Sequence, residues 1–129
     1  CANHPNKILK HRLRLESVHN AVEQSKITAA SINGERIPYN QVPWFWSDQY
    51  NLKLQIAGIT NSQHRVILKA AREIEKFAVC YFDDNKLRAI ETINDSKSFI
   101  AGKKLIESQN IISEDLIKNE ELNIKDWLK

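Results

Sequence analysis

At 129 residues, with 42% hydrophobic and 27% charged side chains, the chain fits one compact domain, or a small domain plus a piece of another. A formal charge of +3, with lysines spread along the chain, argues against a nucleic-acid surface and suits at most an acidic protein partner. No apolar run approaches the roughly 20 residues of a membrane helix, and no signal-peptide pattern opens the chain.

The first fifteen residues are polar and basic, with Pro5 and no stable period. ESVHNAVEQSKITAASING, residues 16–34, then reads as a helix: Val18, Ala21, Val22, Ala29 and Ile32 make a narrow apolar stripe. Gly34 after Asn33 is its stop, a left-handed residue just beyond the helix. The alanine-rich stripe calls for close packing against another element, which this chain does not wholly supply.

Pro38 and Pro43 make a helix through residues 35–49 improbable, and Trp44, Phe45 and Trp46 follow as consecutive large aromatics in a loop. Adjacent side chains on extended chain point to opposite sides, so three in a row cannot share one buried face. Some of this aromatic surface must meet a neighbouring domain, a ligand or a partner.

From Tyr50 the period becomes two. Tyr50, Leu52, Leu54 and Ile56 alternate with Asn51, Lys53, Gln55 and Ala57, a half-buried strand ended by Gly58. Residues 64–70 and 76–82 read as further strands, residues 83–85 as a turn and 86–93 as the returning strand of an antiparallel hairpin. Residues 94–109 restore the helical period, capped by Asp95 or Ser96, with Phe99, Ile100, Leu105 and Ile106 facing inward. Gly102 within that helix marks a close approach to the sheet. Ser113 caps one short helical turn, and Trp127 and Leu128 dock the tail. The expected fold class is α+β: a small antiparallel sheet with helices packed on one face, preceded by a helix from a neighbouring domain.

Little in the chain carries chemistry outright. The four histidines are widely spaced, and neither cysteine has a metal-like partner spacing, so no metal site is expected. A disulfide between Cys1 and Cys80 stays open as an alternative to Cys80 as a small buried apolar residue in a reducing compartment. Three glycines, at 34, 58 and 102, form no phosphate-binding fingerprint. The segment from Trp44 to Gln49 stands apart. It reads either as a hydrophobic clasp onto a neighbouring domain or as an aromatic wall beside a planar cofactor, with Trp46 the best candidate. Asp48 and Gln49 would orient that loop through backbone hydrogen bonds.

RLRLESVHNAVEQ at 12–24, AASING at 29–34 and VPWFWSDQY at 42–50 together resemble the FAD-dependent NAD(P)H:ferredoxin and rubredoxin reductases of electron-transfer chains. The resemblance runs on through LKLQIAG, the hairpin and SFIAGKKLI to cover essentially the whole chain. It implies that residues 1–35 end an FAD-binding domain and that 36–129 form the carboxy-terminal α+β domain of a longer, cytoplasmic enzyme. It implies that the helix opening at Glu16, Ser17 and Val18 faces the flavin pyrimidine, where a helix amino end stabilises negative charge. Trp46 would lie beside the isoalloxazine near the electron exit, with Asp48 in the same loop. Arg12, Arg14 and Lys53 would favour an acidic ferredoxin or rubredoxin. Asn51 departs from the aspartate common in the family. FAD is expected in the full-length parent and not in this portion alone. The alternative from another class is a non-enzymatic interaction or dimerisation module, self-associating through its aromatic surface.

Overall fold

A computed structural model describes residues 2–70 and 75–128. Its centre is a five-stranded antiparallel sheet. Strands β3 (Trp44–Gln49), β4 (Leu52–Gly58), β5 (Arg65–Ala70), β6 (Phe77–Asp83) and β7 (Lys86–Ile93) lie in the order β3-β4-β7-β6-β5. The period-two segments thus become strands, and Asp84 and Asn85, both at positive φ, close the tight β6–β7 hairpin. Ahead of the sheet come a short hairpin, β1 (His4–Asn6) with β2 (His11–Leu13), and helix α1 (Val18–Ile32). Three-residue strands are too short to show a period, and the sequence reading missed them.

The helices that follow the sheet cover one of its faces. Helix α2 (Ser96–Ser108) takes Asp95 as its N-cap, the carboxylate accepting from the Ser98 N–H. It buries Phe99, Ala101, Gly102, Leu105 and Ile106, while Ile100 points outward at 55% exposure and leaves the expected inward face. Gly102 is required there: a Cβ would sit 2.6 Å from Ile90 Cδ1 of the central strand. Helix α3 (Glu114–Lys118), capped by Ser113, and a terminal 3₁₀ turn (Ile124–Leu128) complete the layer. Trp127 is buried against Phe82 and donates its indole N–H to the Leu116 carbonyl at 3.0 Å, whereas Leu128 remains 41% exposed. Trp127 and Ile124, not Leu128, anchor the tail.

Register decides which side chains meet this helical layer. Trp44, Ala57, Ile90, Cys80 and Ile67 align on the covered face, as do Trp46, Gln55, Thr92 and Ala78. Leu52, Leu54 and Ile56, the stripe that marked β4 in the sequence, occupy the opposite face. The helix lies instead over β7 and β4, where Ile90 and Ala57 are fully buried. Cys80 is free and buried, and burial pushes its thiol up to about 12, so it is an unreactive packing residue. Cys1 lies outside the described residues.

Helix α1 is held mainly by polar contacts. Ser17 caps it, accepting from the Asn20 N–H at 3.2 Å, and Asn33 with Gly34 (φ 86°) ends it as the sequence suggests. Asn20 is its one buried residue. The Asn20 amide donates to the Leu15 carbonyl (2.7 Å), and its oxygen accepts from Tyr39 Oη (2.8 Å) and Gln24 Nε2 (3.1 Å). One side chain therefore ties the helix to the segment before it and to the connection after it. Asn20→Ala leaves these buried groups unpaired and is expected to lower unfolding free energy by about 2–4 kcal/mol, read by denaturant titration. The helix's apolar stripe stays uncovered, with Val18 at 61% and Ile32 at 81% exposure.

Candidate functional site

The aromatic segment is an edge strand, not a loop. β3 pairs along its whole length with β4, and Tyr50 at φ 53° makes the turn between them. The restriction imposed by Pro43 suits an extended chain, and Pro43 itself ends the pairing, its carbonyl accepting from the Gly58 N–H at 2.9 Å. Alternation then sends Phe45 to the open face of the sheet and Trp44 and Trp46 to the helical side.

A cavity of about 200 Å³ lies where α1 begins and β3 starts. Its walls include Leu15, Glu16 and Ser17 from the helix entrance, and Trp44, Phe45 and Ile56 from the sheet. It is an apolar slot with a helix amino terminus at its rim. That terminus carries a partial positive charge, which favours negative charge placed beside it. Ser17→Ala removes the cap and is expected to cost about 1 kcal/mol, measurable as a lower Tm.

On the helical side the same strand contributes to a basic, aromatic surface. Trp44 packs on Phe99 of α2 with ring centroids 5.8 Å apart, and on Trp46 at 5.1 Å. Lys103 Nζ lies 5.6 Å over the Trp44 ring, and His19 of α1 approaches the same ring at 5.5 Å. Lys26 pairs with Glu23 at 2.6 Å on the same helix. Lys53 and Asp48 stand opposite one another in register, two positions along the strands from the Trp46–Gln55 pair and on the same face.

Burial, followed by the Lys103 charge, holds the His19 imidazole below its ordinary value of 6.5; Glu23 opposes and Lys26 adds to the effect. A depressed histidine binds its proton more readily in the unfolded chain. Its stabilisation is therefore full above pH 6.5 and lost as pH falls through 6.5 toward the folded-state value. His64 is depressed in the same direction, again chiefly by burial. Thermal unfolding between pH 7.5 and 5.5 is expected to show Tm falling with pH, less steeply in His19→Gln.

The structure thus sorts the residues singled out from the sequence. Glu16 and Ser17 line the cavity, and Val18 begins the helix there but is 61% exposed. Trp46, Asp48 and Lys53 come together on the helical side, away from the cavity walls. Arg12 donates to the Asn3 side-chain oxygen (2.9 Å) and carbonyl (2.6 Å), and Arg14 pairs with Glu16 at 3.2 Å. Both arginines belong to the amino-terminal strand and the segment after it. The sequence reading missed Phe45 and Trp44 as cavity walls and Lys103 and His19 beside the tryptophans. Phe45 was recoverable from alternation once β3 was recognised as a strand. Lys103 and His19 needed the tertiary packing of two helices. Among the described residues no group of three or more histidine, cysteine, aspartate or glutamate side chains could hold a metal, and no helix is long and apolar enough to cross a membrane.

Similarity to known proteins extends over most of the chain. Residues 44–128 match the family described as Reductase C-terminal. A ferredoxin–NAD(P)(+) reductase of Sphingomonas is 35% identical over 87% of this chain and 28% of its own length. Putidaredoxin reductase of Pseudomonas putida is 30% identical over 98% of this chain and 30% of its own length. Among solved structures, the covalent putidaredoxin reductase–putidaredoxin complex superposes with a TM-score of 0.88 at 29% identity, covering 99% of this chain and 31% of that one. The ferredoxin reductase of the CYP199A2 system from Rhodopseudomonas palustris superposes with a TM-score of 0.85, also at 29% identity, over 98% of this chain. The chain spans less than a third of the length of each of these relatives. With the sheet, its helical layer and the match over residues 44–128, the chain belongs to the Reductase C-terminal family.

Proposed function

We propose that this chain supplies the flavin-side aromatic strand and the carrier-docking surface of an FAD-dependent reductase that passes electrons from NAD(P)H to an acidic ferredoxin or rubredoxin. The carrying observation is the double role of β3. Trp44 lines the cavity at the start of α1 and is in ring contact with Trp46, which stands outside that cavity on the basic side. The aromatic pair leads from the candidate flavin edge to a surface bearing Lys53 and Lys103.

The residues present fit one edge of a flavin. An apolar, aromatic slot excludes water, and the helix amino end at Ser17 suits the electron-rich pyrimidine side. When bound, the flavin supplies hydride acceptance from the nicotinamide and the conversion of two electrons into single ones. This chain's share is to position that edge, keep it dry and present the exit. It carries no glycine-rich phosphate loop, so tight FAD binding belongs to the whole reductase. In this reading residues 1–35 close the FAD-binding domain and residues from 36 onward form the carboxy-terminal domain, in a cytoplasmic enzyme.

Of the basic candidates, Lys53 and Lys103 are the better placed for an acidic carrier, because they stand beside the tryptophans, and Lys26, though paired with Glu23, adds its charge next to His19. Arg12 and Arg14 are already engaged by Asn3 and Glu16. The test is single-turnover electron transfer from the full-length, dithionite-reduced reductase to a [2Fe–2S] ferredoxin. Trp46→Ala is expected to slow transfer at least about tenfold, the scale on which misplacing a reacting pair is felt. An unchanged rate would remove Trp46 from the exit.

A further inference from the structure

Beside the aromatic pair of β3 stands a titratable side chain with a ring nitrogen left unsatisfied. His19 lies in the first turn of α1, its ring 5.5 Å from that of Trp44. Its Nδ1 is buried and has no hydrogen-bond partner among the described residues. The charged groups that face it come from two elements: Glu23 and Lys26 from its own helix, and Lys103 from α2. β3 offers it the uncharged Trp44. Glu23 is already committed, its carboxylate held by Lys26 at 2.6 Å. Lys103 Nζ already lies over the Trp44 ring, at 5.6 Å. A proton added to this imidazole in the uncomplexed protein enters a partly buried, cationic setting and creates an N–H at Nδ1 that nothing accepts. The neutral ring is therefore the stable form at pH 7.

Resting on the carrier-docking reading above, we infer that His19 is a proton-linked contact of the docking surface: when an acidic ferredoxin settles there the imidazole takes up a proton, so binding tightens as the solution becomes more acidic. The two ammonium groups that oppose its charging are within a partner's reach, the Lys26 side chain being 64% exposed and Lys103 half-buried. Carboxylates brought against them cancel the repulsion that keeps the ring neutral, and they attract its proton directly. A neutral or basic partner does neither. Linkage then sets the sign. If docking favours the charged imidazole, the charged imidazole favours docking by the same factor. Folding and docking thus respond to this proton in opposite directions: the free protein loses stability when His19 is charged, and the complex gains affinity. One group titrates, so the effect is bounded. Each pK unit by which docking raises the His19 value tightens binding by at most about tenfold.

Titration calorimetry of the full-length reductase with an acidic [2Fe–2S] ferredoxin tests this between about pH 7.5 and about pH 5.5, where the ferredoxin's carboxylates stay ionised. The wild-type dissociation constant should fall about three- to tenfold over that range. The binding heat should also vary with the ionisation enthalpy of the buffer, which reports net proton uptake. His19→Gln keeps a polar side chain without a titrating ring and should lose the greater part of both effects. Histidines elsewhere in either protein contribute equally to the two reductases, so the difference between them belongs to position 19. A wild-type complex that takes up no proton would overturn the inference. So would a His19→Gln reductase with unaltered pH dependence and proton uptake, and either result leaves the docking surface itself standing. If reversing Lys26 and Lys103 to glutamate leaves the affinity unchanged at every pH, the docking reading fails, and the inference with it.

Discussion

Reversing Lys26 and Lys103 together to glutamate in the full-length reductase is expected to weaken binding of an acidic [2Fe–2S] ferredoxin about 10- to 100-fold at low ionic strength, mainly through the association rate. The argument begins with His19, whose imidazole feels both lysines and stands against Trp44. Two charges changed from positive to negative on one surface alter the field that an acidic partner meets on approach. Because both side chains are at least partly exposed, the effect should shrink as salt rises and the Debye length contracts to about 8 Å near physiological ionic strength. Stopped-flow association at two salt concentrations measures it. Arg14→Glu serves as the comparison, since Arg14 lies on the amino-terminal segment and is not among the charges that His19 feels. An equal loss from Arg14→Glu alone would place docking on the amino-terminal segment instead. Flavin content and NAD(P)H oxidation with a small-molecule acceptor should stay unchanged in the double variant.

Gly58→Ala should be the most damaging single methyl in the sheet, costing more than about 3 kcal/mol of unfolding free energy. Gly58 ends β4 at φ 80°, a conformation that side chains other than glycine's rarely adopt. Space is the larger problem. An added Cβ would run into the Arg88 carbonyl and come within 2.8 Å of the Ala89 Cα, both on the backbone of the neighbouring strand β7. No rotamer change relieves a clash between two backbones, so β4 and β7 must separate there. Gly58 and the adjoining Ile59 also line the cavity, and the full-length variant should lose FAD along with stability. Gly34→Ala is the control: its φ is 86°, yet nothing lies within 4 Å of a new Cβ. Its cost should be about 1 kcal/mol, the conformational share alone. Comparable denaturation midpoints for the two variants would show that the contact with β7 gives way.

Strands β4 to β7 declared themselves through alternation, because side-chain direction on extended chain is a local property, whereas Tyr50, counted into β4 from the sequence, forms the turn before it. The caps were equally local: Asp95, Ser113 and the Asn33–Gly34 stop act within one turn of the residues they satisfy. The motifs that carried the family resemblance lay in the chain itself, in RLRLESVHNA and PWFWSDQ, and the family match covers the second of them from Trp44 onward. Other features had no local signal. The β1–β2 hairpin is too short for a period, and three adjacent aromatics hid the pairing of β3 until its register with β4 was known. Leu52, Leu54 and Ile56 named a strand correctly but did not say which face the helices would cover. That choice rests on α2, which packs on β7 and β4 with Gly102 against Ile90 and with Ala57 fully buried on the same face. The sequence determined the family and the elements from β4 onward, together with α1. Tertiary packing alone decided which side of each strand was buried, which tryptophan lined the cavity and which lysines stood beside it, because those contacts join residues far apart in the chain.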